Sequence, residues 1–276
     1  MARRVLMADD WHSESFSDTA MDRYGFPEFN GKSYTLIKFG RCNMRCGFCF
    51  RDGANADADG RQPNSRYVDF EDIADLVVKQ VKEGQIMRIS GGEPGLYPTE
   101  VTELLNIIKE NGGYSIIDTN GTIPSSAKRY AELADVMSID GPKCSLGRVE
   151  KITNVPRKIC WDLPLETMKI SKGFPCRMVE YKAVLLDPLD YEHLSFLAEN
   201  IPEDAILTLK SYREVMSKDL SDGSNIEKII NDGLHSVGPE EICGAAERLI
   251  KEHQSMKGRV MAILGSTRKK GSYRGF

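Results

Sequence analysis

The chain has 276 residues, 41% hydrophobic and 28% charged, with a formal net charge of −4. That size suits one large α/β domain with room for a short appendage, and the slight acidity argues against a generic nucleic-acid binder, which carries a basic footprint. No apolar run approaches the roughly 18 residues that span a bilayer, the first ten residues lack the apolar segment of a signal peptide, and seven cysteines, three of them clustered, do not suggest a secreted disulfide framework. The expectation is a cytoplasmic protein with no membrane partner.

Residues 1–32 interleave Trp11, Phe16, Tyr24, Phe26 and Phe29 with Asp, Ser and Gly and show no helical or strand period, so they read as an irregular N-terminal arm. His12 within it has the character of a surface residue. Residues 33–39 are β-rich and Gly40 ends them. The loop that follows is Cys42-Asn43-Met44-Arg45-Cys46-Gly47-Phe48-Cys49-Phe50, three cysteines spaced C-x3-C-x2-C. Thiolates are soft ligands that select zinc, copper(I) or iron–sulfur clusters. Zinc usually takes four ligands in C-x2-C pairs, and no fourth Cys or His lies near. Three thiolates on a four-iron cubane leave one iron open to a small molecule. A zinc knuckle or a chance cluster of buried thiols is the competing reading. Gly40, Gly47 and Gly53 allow close backbone approach, at the strand end where parallel α/β folds gather ligands.

Residues 52–65 form a small polar loop. A helix starts at Asp69 with Ile73, Leu76, Val77 and Val81 on one face. The second strand, 85–90, runs into Gly91-Gly92-Glu93-Pro94, where main-chain groups and a carboxylate can meet a ligand or merely make a tight turn. Pro98 opens a helix that Asn111-Gly112-Gly113 stops. The third strand, 114–117, ends in Asp118-Thr119-Asn120-Gly121-Thr122. A helix at 125–133 precedes a fourth strand with its loop, 134–142, which contains Ser138 and Asp140. Residues 141–161 carry Lys143, Arg148, Lys151, Arg157 and Lys158 and read as a long basic loop, a candidate lid or substrate contact. A helix at 163–172, a fifth strand at 176–185 with Val179, Tyr181 and Ala183 alternating with Glu180 and Lys182, a helix at 189–199 with His193 on its surface, and a sixth strand at 205–210 complete the alternation. This order predicts a parallel sheet with crossover helices. Beyond 211, helices are expected at 225–230 and 240–254, an edge strand at 259–264 and a frayed basic tail at 268–274. Cys144, Cys160, Cys176 and Cys243 are dispersed, without C-x2-C pairing, and read as free thiols, with a second metal cluster as the alternative.

The cysteine spacing, with the aromatic Phe48 directly before the third cysteine, resembles the signature of the radical S-adenosylmethionine (radical SAM) enzymes. Gly91-Gly92-Glu93 at the end of the second strand resembles that family's SAM motif. The resemblance implies an α/β fold, the partial (β/α)6 TIM-type barrel, over residues 33–212, with 1–32 as the arm and 213–276 as a C-terminal helical extension. It implies a 4Fe–4S cluster on Cys42, Cys46 and Cys49, SAM held at its amino group by Gly91, Gly92 and Glu93, and Phe48 near the adenine. Asp118-Thr119-Asn120-Gly121 resembles a segment of the glycyl-radical-enzyme activating enzymes of the pyruvate formate-lyase type. That likeness implies Asp118 and Asn120 near the SAM carboxylate, and Ser138 and Asp140 near the ribose and a monovalent cation.

The implied activity is reductive cleavage of SAM to a 5′-deoxyadenosyl radical that takes hydrogen from a substrate. On the activating-enzyme likeness the substrate is a glycine of a partner protein, and the electron donor is of the flavodoxin or ferredoxin kind. Two alternatives stand beside this. One is modification of a small molecule or nucleotide, since Cys46-Gly47-Phe48-Cys49-Phe50 also resembles viperin and the basic 141–161 stretch suits phosphates. The other is a non-catalytic iron–sulfur or zinc-binding module. No side chain stands out as a general acid or base, and hydrogen abstraction requires none.

Overall fold

The computed structural model describes residues 3–15, 24–49, 55–211, 235–264 and 273–276. Seven parallel strands lie side by side in the order β2 (Tyr34–Phe39), β4 (Ile86–Gly91), β5 (Ser115–Thr119), β6 (Val136–Ile139), β7 (Met178–Asp187), β8 (Ile206–Ser211) and β10 (Val260–Ile263). Antiparallel β1 (Arg4–Ser15) and β3 (Ser65–Asp69) extend one edge, β11 (Tyr273–Gly275) extends the other, and the short β9 (His235–Ser236) pairs with β7. Parallel neighbours need a crossover, and helices supply it: α1 (Phe70–Lys82), α2 (Pro98–Glu110), α3 (Pro124–Ala131), α4 (Leu146–Thr153), α5 (Leu163–Ser171), α6 (Tyr191–Asn200) and α7 (Pro239–Glu252). The result is a mixed α/β fold of the partial TIM-barrel kind, with the expected 259–264 edge strand present as β10.

Successive strand residues point to opposite faces. One set, including Ile37, Ile89, Ile117, Ile139, Tyr181 and Leu209, is buried in the main core under the helices. The other set lines the inner face and changes character along the strands. At their N-terminal ends Ile86, Ile116, Val136 and Ile206 form a separate apolar cluster with Tyr24 and Phe29. Phe29 meets Tyr24, Phe26 and Tyr114 edge-on, with ring centroids 6.0, 5.1 and 5.5 Å away. Tyr24, Phe26 and Phe29 of the expected arm thus close the bottom of the barrel. Above them the inner face is polar, then charged.

The structure departs from the sequence expectations at several places. Residues 4–15 are a strand, not an irregular arm. A register shift between Met7 and His12 breaks the alternation and hides the period. Ser65, placed in a polar loop, begins β3. The stretch 141–161 is not a long loop: it holds α4 and a π-helical turn, Lys158–Asp162, and buries Val149, Ile152 and Cys160. Asn154, in the left-handed conformation at φ 49°, ends α4. His193 is not a surface residue but 4% exposed, on the inner side of α6 with Leu194 and Leu197. Tyr273–Gly275 pairs with β10 instead of fraying. The expected helix at 225–230 and residues 268–272 lie outside the described residues. Among the described residues no helix is long and apolar enough to cross a membrane.

Phe29 is fully buried in the bottom cluster. Phe29→Ala is expected to lower unfolding stability by about 3–5 kcal/mol, the usual loss for emptying a buried aromatic site, and equilibrium denaturation measures it.

Candidate functional site

The cysteine loop leaves the C-terminal end of β2 and is held by backbone bonds on two sides. Cys42 N donates to Gly60 O at 2.8 Å. Arg45 N and Gly47 N donate to Thr153 O and Ile152 O at 2.9 and 3.0 Å, so the loop satisfies carbonyls that the last turn of α4 leaves unpaired. Met44 and Cys46 are buried with Val149, Ile152, Cys144 and Cys160, while Cys42, Phe48 and Cys49 are half-buried against the same cluster. Burial pushes the Cys42 thiol up to about 12 and the Cys46 thiol well above its ordinary value. Thiols in such a setting ionise when a bound cation takes up their charge. Among the described residues no three Cys, His, Asp or Glu side chains converge as a single metal ion requires. A cubane instead takes one thiolate at each of separate irons. Three soft thiols on one tightly held loop fit such a cluster. The structure also brings Cys144 and Cys160, seemingly dispersed in the sequence, into the wall of the loop as free thiols.

The end of β4 is pressed against the start of this loop. Gly92 N donates to Phe39 O and Glu93 N to Arg41 O, at 2.8 and 2.7 Å. Gly91 has φ 106°, and a Cβ there would lie 2.3 Å from Phe39 N. A Cβ on Gly92 would lie 2.0 Å from Arg41 O. Both positions therefore require glycine.

Glu93 is wholly buried. Its Oε1 accepts from Gly95 N and Thr119 Oγ1, each at 2.7 Å, and its Oε2 from Asn120 N at 2.7 Å. Burial raises its pKa in spite of these donors. The carboxylate expected to reach SAM ties the end of β4 to the end of β5, and its Oε2 accepts one bond here and keeps a lone pair for a further donor. Asn120 Nδ2 in turn donates to Asn43 Oδ1 at 3.1 Å and approaches Cys42 Sγ at 3.8 Å. The Gly91-Gly92-Glu93-Pro94 turn, the Asp118–Thr122 segment and the cysteine loop form one hydrogen-bonded unit.

Beside this unit lies the charged layer of the inner face. Asp118 accepts from Arg88 Nε and Nη2 at 2.7 and 2.8 Å and from Lys182 Nζ at 2.8 Å. Lys182 Nζ also lies 3.2 Å from Asp140 Oδ1, and Asp140 Oδ2 pairs with Lys143. One level below, Glu180 accepts from Tyr24 Oη at 2.8 Å, from Thr208 Oγ1 at 2.7 Å and from Ser138 Oγ.

Burial alone would raise the Asp118 pKa, but Arg88 and Lys182 outweigh it and hold the group well below the carboxylate range. Asp140 is lowered too, since Lys143, Lys182 and Lys210 overcome its burial. Lys182 and Lys143 are raised, because the aspartates outweigh the burial that would lower them. Ser138 is fully buried under this layer, and Asp118 is committed to two cations.

Arg88, Glu180, Lys182 and Lys210 were not among the expected site residues. The signal for them was charge at alternate positions of strands whose other face is apolar, which looks the same for a solvent face as for a barrel interior.

The fold is that of a partial β/α barrel with a three-thiol loop at its mouth, and a protein-family comparison names the group. The family model described as Radical SAM superfamily matches residues 36–201, and the chain belongs to that superfamily. The family cofactors are a 4Fe–4S cluster and SAM. A 7-carboxy-7-deazaguanine synthase of Methanothermobacter thermautotrophicus is 33% identical over 110 residues, 40% of this chain and 42% of that protein. A "Probable GTP 3′,8-cyclase" of Methanococcus maripaludis is 26% identical over 133 residues, 48% of this chain and 40% of that protein. The chain spans about half or less of the length of these curated relatives. Among solved structures, Streptococcus suis SuiB bound to S-adenosylmethionine has a TM-score of 0.59 at 16% identity, covering 84% of this chain and 49% of that chain. That likeness concerns the fold.

Asp118 has a depressed pKa, so its contribution to stability is present above the ordinary aspartate value of about 3.9 and is lost as pH falls through its folded value. Wild-type stability should therefore fall on acidification below about pH 4. Asp118→Asn leaves Arg88 and Lys182 short of a counter-charge and should cost about 3–5 kcal/mol at neutral pH, with a shallower acid slope. Urea unfolding between acid and neutral pH measures both.

Proposed function

We propose that this chain is a radical SAM enzyme that modifies a small molecule or nucleotide, with Cys42, Cys46 and Cys49 as the ligands of its 4Fe–4S cluster. The observation that carries the reading is the C-x3-C-x2-C loop, hydrogen-bonded into the ends of β4 and β5 at the mouth of a barrel whose inner wall is charged. The substrate class follows the relatives, whose names refer to a carboxylated deazaguanine and to GTP. Held there, a 4Fe–4S cluster and SAM would supply reductive carbon–sulfur cleavage and hydrogen-atom abstraction from the substrate, the electron coming from a flavodoxin- or ferredoxin-like donor.

The chain's own residues position and shield. Backbone groups of Gly91 and Gly92 take the SAM amino group, and Phe48 lies toward the adenine. Glu93, which braces the turn, offers its carboxylate to the same amino group. Asn120 orders Asn43 and faces Cys42, and Asp140 sits at the mouth with Lys143. Asp118 and Ser138 support this surface from within. Met44, Val149 and Ile152 wall the cysteine loop with apolar surface, which keeps water from a reactive intermediate. Lys143, held charged by Asp140, lies within electrostatic reach of Cys46 and offsets thiolate charge.

Glycyl-radical activation of a partner protein is the second reading. Its support is the Asp118–Gly121 segment, whose aspartate is already paired with Arg88 and Lys182. A non-catalytic metal-binding module is a third, and it predicts bound metal without SAM cleavage.

Anaerobic reconstitution should give about four irons per chain, lost when Cys42, Cys46 or Cys49 becomes Ala. Dithionite and SAM should then yield 5′-deoxyadenosine, and deuterium from a labelled guanine nucleotide or deazaguanine-type compound should appear in it. Stoichiometric zinc with no iron–sulfur absorption would refute the cluster. A glycyl doublet on a partner protein by electron paramagnetic resonance, with no label transfer from small molecules, would replace the modifier reading by the activating one.

A further inference from the structure

We infer that Lys210, beside Lys182 on the neighbouring strand, forms a subsite for a carboxylate or phosphate group of the substrate. The inference rests on the reading above, in which the barrel mouth is the substrate site, and it adds the charge that the substrate must carry.

Lys210 lies near the C-terminal end of β8, in register with Val184 of β7, while Lys182 is in register with Thr208. Strand periodicity places Thr208 and Lys210 on the same face, and Thr208 bonds the inward-facing Glu180. Lys210 therefore projects into the charged layer, one level nearer the mouth than Thr208. It remains half-buried, in the field of Lys182, Asp140, Lys143 and Asp118.

The neighbouring carboxylates are already engaged. Asp118 holds Arg88 and Lys182, Asp140 holds Lys143 and Lys182, Glu180 receives three hydroxyls, and Glu93 receives two backbone amides and a threonine. Lys38, the inner-face lysine of β2, is paired with Asp10. Among the described residues, Lys210 has no ion-pair partner, unlike Lys143 and Lys182 beside it and Lys38 on β2.

Asp140 and Asp118 attract the Lys210 ammonium without contacting it, and a partly desolvated ammonium held short of an ion pair is unfavourable. Burial and the nearby lysines accordingly lower the Lys210 pKa to about 8. An anion entering from the mouth supplies the missing partner, and an ammonium–phosphate or ammonium–carboxylate contact is charge-assisted. The two lysines differ in role. Lys182 is saturated by two aspartates and fixes the local field, whereas Lys210 makes no ion pair among the described residues.

SAM also carries a carboxylate, so the test separates the two sources. Reconstituted wild-type protein is dialysed to equilibrium with radiolabelled inorganic phosphate or malonate, with and without saturating SAM. The expected result is saturable binding of both anions that persists with SAM, about ten-fold or more weaker in Lys210→Met and restored in Lys210→Arg. In parallel, pulse acetylation of the wild type followed by mass spectrometry should show phosphate protecting Lys210 while SAM alone does not. This second measurement needs no variant to fold.

Displacement of the anions by SAM, or protection of Lys210 by SAM alone, would assign the lysine to the methionyl carboxylate and overturn the substrate subsite. Absence of anion binding, or unchanged binding in Lys210→Met, overturns it as well. Iron content and 5′-deoxyadenosine release are assayed on the same wild-type preparation. Loss of anion binding with release intact rejects the subsite alone, and anion binding with no release rejects the radical reading alone.

Discussion

Asp118 meets two cations from two different strands, Arg88 on β4 and Lys182 on β7, across the inner face of the barrel. A carboxylate and two cations at 9–13% side-chain exposure survive there only as a paired set, because each alone would face a large desolvation cost. The set fixes where the barrel changes from oil to charge. Below it, Ile116, Val136 and Ile206 pack against Tyr24 and Phe29. Above it, Asp140, Lys143 and Lys210 face the mouth. Removing Asp118 leaves two positive charges next to a third and a fourth, so the charged surface around the cysteine loop depends on this one side chain.

Glu93 plays the corresponding part in hydrogen bonds. Its carboxylate gathers donors from its own turn and from the end of β5. Asn120 carries the connection to Asn43 and the cysteine loop, and α4 completes it from the other side with the carbonyls of Ile152 and Thr153. Four segments far apart in the chain thereby set the position of three thiols. Precision of this kind comes from the backbone groups and short polar side chains that hold the loop, not from the loop by itself.

Much of this was legible in the sequence. The parallel order of six strands follows from repeated strand and helix signals, and C-x3-C-x2-C and Gly91-Gly92-Glu93-Pro94 each fall at a strand end as their chemistry demands. What was hidden has physical causes. The strand Arg4–Ser15 carries a bulge, and a shifted register erases the period-2 pattern that betrays a strand. The helix α4 has eight residues, too few for its period to stand out beside five scattered basic residues. Glu180 and Lys182 alternate with apolar residues as they would on a solvated sheet. Binary patterning has no means of telling water from a polar barrel interior, and that is why the ion network was missed while the strand bearing it was found. His193 follows the same logic: one histidine on a helix gives no sign of which face is covered.

The aromatic floor has a consequence for traffic. Tyr24, Phe26 and Phe29 pack across the strand ends opposite the cysteine loop, and the hydroxyls gathered by Glu180 lie over them. A charged molecule crossing that floor would have to shed its water against apolar rings, whereas the rim around the thiols offers it charged partners. Approach from the rim is therefore the less costly route.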